Sequence, residues 1–351
     1  MKKALKIILC VLLAIVVLAA ALILWLSVTE FKPAPVEDLS VTAAPGSQSV
    51  DPTQALDILS WNIGYAGLGE GSEFFMDGGK DVKSADKATV EKYLNGIRDY
   101  IYSDTPDLVM LQEVDVGSSR TYNIDEAAYL AGANSVHALN YSCPFVPFPM
   151  PPMGKINSGL FTVSQYTVSS AERVSLPCPF SWPVRTANIK RCLLVTYLPI
   201  EGSDKQLVLV NLHLEAYDSG EGKIAQTNQL REFIAAEYEK GNYVIAGGDF
   251  NQSFPGTLDV YPNSHPDLWQ PGILDNSLLP EGWSFAYDSS VPTCRLLNQA
   301  YDPTDLENTQ HYVIDGFIIS PNVELKSVES IDLGFENSDH NPVRISVELK
   351  G

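Results

Sequence analysis

Cysteine is scarce in this chain, with five in 351 residues and no CxxC pair. That argues against a thiolate zinc cluster. Cys143, Cys178, Cys192 and Cys294 are widely spaced and read as buried or free thiols. An oxidising location would permit a disulfide among them, but spacing alone selects no pairing. Positive charge is also short: 23 Lys and Arg stand against 43 Asp and Glu, a net charge of −20. Such a field repels polyanions at long range. Nucleic-acid binding normally rests on a basic surface that displaces phosphate counterions. The balance disfavours a dedicated DNA or RNA enzyme, although it leaves room for a local basic groove.

What is present begins with a long apolar run. Ile7 to Leu26 carries no charge and is almost entirely Ile, Leu, Val and Ala. A helix of ~20 such residues crosses a ~30 Å hydrocarbon core, whereas the apolar core of a cleaved signal is shorter. Cys10 lacks the small preceding residues that a lipoprotein site would use. Lys2, Lys3 and Lys6 precede the run and Glu30 follows it. The positive-inside rule then places the bulk of the chain outside. The expectation is a single-pass anchor over residues 1–27 in the cell membrane. Residues 28–54, with Pro33, Pro35, Pro45 and Pro52, read as an extended linker. Residues 55–351 form the expected extracellular catalytic domain, acting as a monomer.

Within that domain the pattern alternates. Strands are expected over 56–62, 107–111, 159–163, 191–198, 207–212, 243–246, 313–319 and 343–349. Residues 86–103 place Val90, Tyr93, Leu94, Ile97 and Ile101 on one helical face. Residues 223–239 form a second helix, with Ile224, Thr227, Leu230, Phe233, Ile234 and Tyr238 inward and Gly241 ending it. This is an α/β domain with sheets inside and helices outside. Residues 141–153 are aromatic, proline-rich and uncharged. They read as a rigid surface loop, with a lid or lipid-facing wall of the substrate site as the sharper alternative.

Polar residues recur at the strand ends: Asn62, Glu113, Asn211 and His213, then Asp249 and Asn251, Asp315, and Asp339-His340. Ligand-binding groups of α/β folds collect at one edge of the sheets. Carboxylates and amides without cysteine suit hard ions such as Mg²⁺ or Mn²⁺. Each piece alone has a bland reading as a turn residue, an ion pair or a helix start. The ordered set is more specific: Ser-Trp-Asn-Ile-Gly, Leu-Gln-Glu-Val, Asn-Ser-Gly-Leu, Asn-Leu-His-Leu, Gly-Gly-Asp-Phe-Asn, Ile-Asp-Gly-Phe-Ile and Ser-Asp-His-Asn-Pro-Val.

That set, over about residues 55–350, resembles the endonuclease/exonuclease/phosphatase superfamily. Its members include DNase I-like nucleases, abasic-site endonucleases, sphingomyelinases and inositol polyphosphate 5-phosphatases. The resemblance implies a four-layer sandwich, two packed mixed β-sheets flanked by helices, and a Mg²⁺- or Mn²⁺-dependent phosphoesterase. It implies metal contacts from Glu113, Asn62 and Asp339, and phosphate contacts from Asn62, Asn211, His213, Asn251 and His340. Asp249 would position or activate water, and Asp315 would orient His340. Family mechanisms differ on whether Asp249 or His340 is the base; here Asp249 is taken to activate water while His340 binds phosphate.

The chain departs from the family in having Val313 where many members carry Arg or Lys. Arg185, Lys190 and Arg191 are alternative phosphate contacts, with solvated surface cations as the blander reading. His137, His265 and His311 read as loop or surface histidines. The substrate expected is a small or lipid phosphodiester, including a phospholipid. A DNase I-like endonuclease, a phosphomonoesterase on an inositol or sugar phosphate, and an inactive binding module remain as alternatives.

Overall fold

A computed structural model describes residues 2–82, 85–218, 220–305 and 308–350. Residues 83, 84, 306 and 307, within loops that carry specificity in the sequence reading, lie outside the described residues. In chain order the main elements are α1 (Lys2–Val28), β1 (Val36–Asp38), β2 (Leu56–Asn62), α2 (Lys87–Asp104) and β3 (Leu108–Asp115). Next come α3 (Glu126–Leu130), β4 (Asn134–Val146), β5 (Gly154–Ser164), β6 (Ser170–Ser175), β7 (Cys192–Pro199), β8 (Gln206–His213), α4 (Glu221–Glu239) and β9 (Tyr243–Asp249). Short β10 (Gln252–Ser253) and β11 (Gly272–Ile273) pair with each other, and β12 (Ser284–Ala286) follows. After the small β13 (Cys294–Arg295) and β14 (His311–Tyr312) pair come β15 (Asp315–Ile319), β16 (Val323–Ser330) and β17 (Val343–Leu349).

One sheet runs β1-β6-β7-β8-β9-β15-β12 and the other β16-β17-β2-β3-β5-β4. Both mix parallel and antiparallel pairs: β2 with β3 and β8 with β9 are parallel, their other neighbours antiparallel. Alternate residues of a strand face opposite sides, and the core follows that rule. Leu56, Ile58, Leu108 and Met110 meet Leu207, Leu209, Ile245 and Phe317 between the sheets. Leu59, Trp61, Val109 and Leu111 face outward under α2. Val208, Val210 and Leu212 face α4 through Leu230 and Ile234. The result is the expected four-layer sandwich.

Helix α2 is capped by Asp86, whose side chain accepts from the Thr89 N–H, and it buries the five residues its periodicity predicts. Helix α4 is rotated from its sequence-based face. Gln226, Thr227, Leu230, Ile234 and Glu237 point inward while Ile224 is exposed. Gln226 turns inward because its amide receives the Glu215 N–H and donates to the Pro177 carbonyl.

The linker reading of residues 28–54 needs correction. The segment is extended, as its prolines dictate, but it is docked. β1 pairs with β6, Thr42 bridges Ser135, and Val50 bridges Ile200. Val50 is fully buried in the inter-sheet core. The loop reading of 141–153 also changes: β4 continues to Val146 and pairs with β5, leaving only a projecting tip. Among the described residues the five cysteines are free.

Two stability tests follow. Val50→Asp places an unpaired charge between the sheets and should cost about 3 kcal/mol or more by denaturant titration. His311, stacked on Phe335, is pushed down to about 4 from an ordinary 6.5, chiefly by burial and then by Arg295. The unfolded chain therefore binds the extra proton between those values, and stability is lost as pH falls through the unfolded value. His311→Phe should shrink the Tm drop between about pH 7 and about pH 4.5; an unchanged drop would contradict this origin.

Candidate active site

The pleat that builds the core also delivers the site. Continuing the inward positions of β2 past Leu56, Ile58 and Ser60 reaches Asn62. Continuing β8 past Leu207, Leu209 and Asn211 reaches His213. The same parity carries Ile245 and Gly247 to Asp249, and Ile319 and Phe317 back to Asp315. In register, Asp249 lies opposite His213 on one side and Asp315 on the other. Three neighbouring strands thus offer His213, Asp249 and Asp315 on one rung. Gly248 makes this closeness feasible. Its φ is +143°, and a Cβ there would stand 1.9 Å from the Leu212 carbonyl oxygen.

Glu113 sits out of parity, and a β-bulge explains it. The register of β3 against β5 shifts between Leu111 and Val114, and Glu113 has φ of +58°. A bulge re-aims a side chain toward a site in this way. Glu113 then receives a hydrogen bond from the Asn62 amide at 3.3 Å, and the same amide donates to Asp249 Oδ2 at 3.0 Å. Asn62 Oδ1 accepts from the Gly64 N–H at 3.0 Å. Asn62 therefore bridges the two carboxylates as a donor, with its oxygen turned to the backbone. In this arrangement the Asn62 oxygen, expected to face a metal, is engaged by the backbone.

Asp339 and His340 arrive on the loop before β17. Ser338 Oγ donates to the Asn62 carbonyl at 2.7 Å and fixes that loop. Gly64 permits the approach, since a Cβ there would lie 2.8 Å from Asp339 Oδ1. His340 Nδ1 meets Asp315 Oδ2 at 2.8 Å, and its Nε2 faces Asp249 Oδ2 at 3.8 Å. His213 Nε2 lies 3.4 Å from the same Asp249 oxygen.

Burial and neighbouring charge drive these groups apart electrostatically. Asp249 is pushed up to about 6 by burial and the Asp315 carboxylate. Asp339 is pushed up to about 7 by burial, with Glu113 adding to the rise and His340 opposing it. Burial works against charge on His340, but Asp315 and Cys294 together outweigh it and hold the imidazole well above its ordinary range. His213 goes the other way, held well below by burial, Arg191 and His340. The two imidazoles are thus pushed in opposite directions.

Two further expectations change. Asn211 is fully buried and does not reach the cleft. Its amide donates to the Leu111 and Phe161 carbonyls, each at 3.1 Å, and its oxygen accepts from Gln112 at 2.8 Å. It braces the two sheets rather than touching a phosphate. Asn251 lines the cleft, yet its amide donates to the Leu214 carbonyl at 2.9 Å while its N–H donates to Asp249 Oδ1 at 2.8 Å. Its clearest role is to hold Asp249.

Among the cations, Arg185 and Lys190 pair with Glu30, whereas Arg191 is buried, lines the cleft and faces Glu215 at 3.9 Å. The surface reading of Arg191 is therefore corrected. His137 is also not a surface residue: its ring sits 3.3 Å from the Val114 carbonyl.

Sequence reasoning passed over Asp77 and Tyr217, which line the cleft and share a 3.0 Å hydrogen bond. They fall in loops without a strand-end pattern. The cleft encloses about 680 Å³ and holds Glu113, His213, Asp249, Asn251, Asp339 and His340 in its lining.

The donor chemistry fits a hard divalent cation. Among the described residues, Asp249, Asp315 and His340 bring ligand atoms within 4.8 Å of one another. His340 Nδ1, however, is already engaged by Asp315 at 2.8 Å. Glu113 and Asp339 offer a second pair of carboxylates in the cleft lining. Glu113 is only partly buried and opens on the cleft, and carboxylate oxygens are the ligands a hard divalent cation takes.

A model of the Endonuclease/Exonuclease/phosphatase family matches residues 59–340. No protein of curated function matches the chain. Among solved structures, an endonuclease/exonuclease/phosphatase from Beutenbergia cavernae superposes with a TM-score of 0.55 at 17% identity, covering 85% of this chain and 72% of that one. A family protein from Leptotrichia buccalis gives 0.52 at 16% identity, with 84% and 100% covered. The human Nocturnin catalytic domain with bound sulfate gives 0.50 at 16% identity, with 89% and 98% covered. At these identities the superpositions speak to the fold.

The bracing role of Asn211 is testable. Asn211→Ala leaves the buried Gln112 amide and two carbonyls underpaired, so stability should fall by about 2 kcal/mol. The KM of the folded enzyme for its phosphoester should stay within about twofold. A large rise in KM without loss of stability would restore Asn211 to the phosphate site.

Proposed function

The chain belongs to the endonuclease/exonuclease/phosphatase family, and on that premise we propose that it is a membrane-anchored, divalent-metal-dependent phosphoesterase that hydrolyses phosphodiesters outside the cytoplasm. The observation that carries the reading is the convergence of Glu113, Asp249, His213 and His340 on one cleft, with Asp315 buried behind His340. Supporting the location, α1 is long and apolar enough to cross a membrane, and its lysines precede the apolar run.

Mg²⁺ or Mn²⁺, held by Glu113 and Asp339, would neutralise phosphate oxygen charge and stabilise the leaving oxygen. Asp249 removes the proton from water. Its oxygens are positioned by the Asn62 amide and the Asn251 N–H, and a pKa near 6 suits a base working near neutrality. His340, kept cationic by Asp315, donates from Nε2 to a phosphate oxygen as charge builds. Neutral His213 stands on the opposite flank of Asp249 and offers a second hydrogen bond to the same phosphate.

A DNase I-type activity would want free cations in the cleft. Arg120 is bound to Asp115, Arg191 faces Glu215, and Arg295 donates to the Gly69, Ser72 and Gln299 carbonyls. These commitments and the acidic charge favour a small or lipid diester over DNA.

The full-length protein should hydrolyse a choline phospholipid and an activated aryl phosphodiester with Mg²⁺, and lose both activities on chelation. Glu113→Ala should remove nearly all activity, and Asp249→Asn should lower kcat by about 10²–10⁴. Hydrolysis indifferent to chelator and to Glu113→Ala would refute the proposal, and cleavage of duplex DNA alone would replace it with a tethered nuclease.

A further inference from the structure

The anchor is more than a tether. The last turns of α1 are packed against the catalytic domain. Leu26 is buried with Cys143, Val146 and Ile156, and Leu22 packs on the same cluster. Trp25 sits 6.5 Å from the Phe145 ring. Trp182 donates from Nε1 to Ser27 Oγ at 3.0 Å. Just beyond the helix, the Glu30 side chain is only 3% exposed and pairs with Arg185 at 3.2 Å and Lys190 at 3.7 Å. Contacts through the helix end and an ion-pair clamp fix the orientation of the cleft relative to the membrane span.

The same helix end lines the cleft. Leu22, Ile23 and Leu26 stand in the wall of the cavity that holds Glu113, Asp249 and His340. They continue into Val146, Phe148 and Val184 of the same lining. Phe148 is 69% exposed, and Met150 beside it on the hairpin tip is 75% exposed. Trp182 is 58% exposed. At 1.5 Å per residue, the run from Ile7 to Leu26 uses up ~30 Å, the thickness of the hydrocarbon layer. Leu26 therefore lies at its outer edge, where Trp25 and Trp182 match the aromatic belt of membrane interfaces. The mouth of the cleft opens at the level where lipid headgroups meet acyl chains.

We infer that α1 forms part of the substrate site, and that the substrate is an amphiphilic phosphodiester resident in the bilayer. Its phosphate sits between Glu113 and His340, and its hydrocarbon lies along Ile23, Leu26 and Phe148. A water-soluble diester would leave this apolar wall exposed, whereas an acyl chain lying along it exchanges one apolar surrounding for another and stays out of water. The geometry spares the enzyme the cost of lifting a lipid out of the membrane. The inference rests on the phosphoesterase reading and adds the substrate class and the role of the anchor.

The test uses the full-length protein in vesicles with long-chain phosphatidylcholine, a short-chain analogue and an aryl phosphodiester. The wild type should prefer the long-chain lipid over the short-chain one by about a hundredfold in kcat/KM. Ile23→Asn and Phe148→Ser should each reduce that ratio about tenfold. Phe148 is exposed on a tip, so its variant retains the fold even if the helix variant does not. Equal hydrolysis of long and short chains, or a ratio that neither variant changes, would overturn the inference while leaving aryl diester hydrolysis intact. Loss of aryl diester hydrolysis in the wild type would instead defeat the phosphoesterase reading, and this inference with it.

Discussion

The β pleat is the constraint on which the site depends. Two sheets face each other through alternate residues, and apolar side chains fill the middle of that interface. At one end the same inward positions turn polar, as Asn62, His213, Asp249 and Asp315. No special loop is needed to gather them. Packing two sheets at native distance forces the strand ends together, and Asn211 with Gln112 braces the sheets one step below the chemistry. A one-residue slip of register would turn every one of these groups away. The inter-sheet core therefore fixes both the stability of the domain and the geometry of the cleft.

Burial then sets the electrostatics. Four acidic groups and two imidazoles share a space with little water, where charge is expensive unless paired. Asp315 resolves the cost by pairing with His340. Asp249 is left with a raised proton affinity between His340, which holds its proton more tightly than usual, and His213, which holds one less tightly. Such separation of neighbouring titratable groups is how one site supplies both a base and a hydrogen-bond donor. Among the groups carried on strands, Glu113 escapes the pleat rule. Its left-handed backbone at the bulge is a local cost accepted at a functional position.

The sheets were legible because their signal is local. Leu56 to Asn62 reads as a buried strand ending in polar residues, Val343 to Leu349 shows the alternation that the fold uses, and α2 shows its buried face residue by residue. The site was legible through strand ends in a family-specific order. What stayed hidden depends on partners distant in sequence. Prolines in 28–54 announce extended backbone, but not that Val50 enters the core. Asn211 looks like a site amide until its partners on β3 and β5 are seen. Ile224 looks inward by periodicity, yet the Glu215 N–H recruits Gln226 and rotates α4. The role of α1 was the least visible. An apolar run reads as an anchor whether its last turn ends in solvent or, as here, in the wall of a cleft.

The central claim is that a divalent cation belongs beside Glu113, flanking the Asp249–Asp315–His340 cluster without entering it. Mn²⁺ binding followed by electron paramagnetic resonance separates these positions directly. The account predicts a bound Mn²⁺ signal that Glu113→Ala abolishes and Asp315→Asn leaves in place. Binding that survives Glu113→Ala but disappears in Asp315→Asn would put the ion among Asp249, Asp315 and His340 and contradict the account.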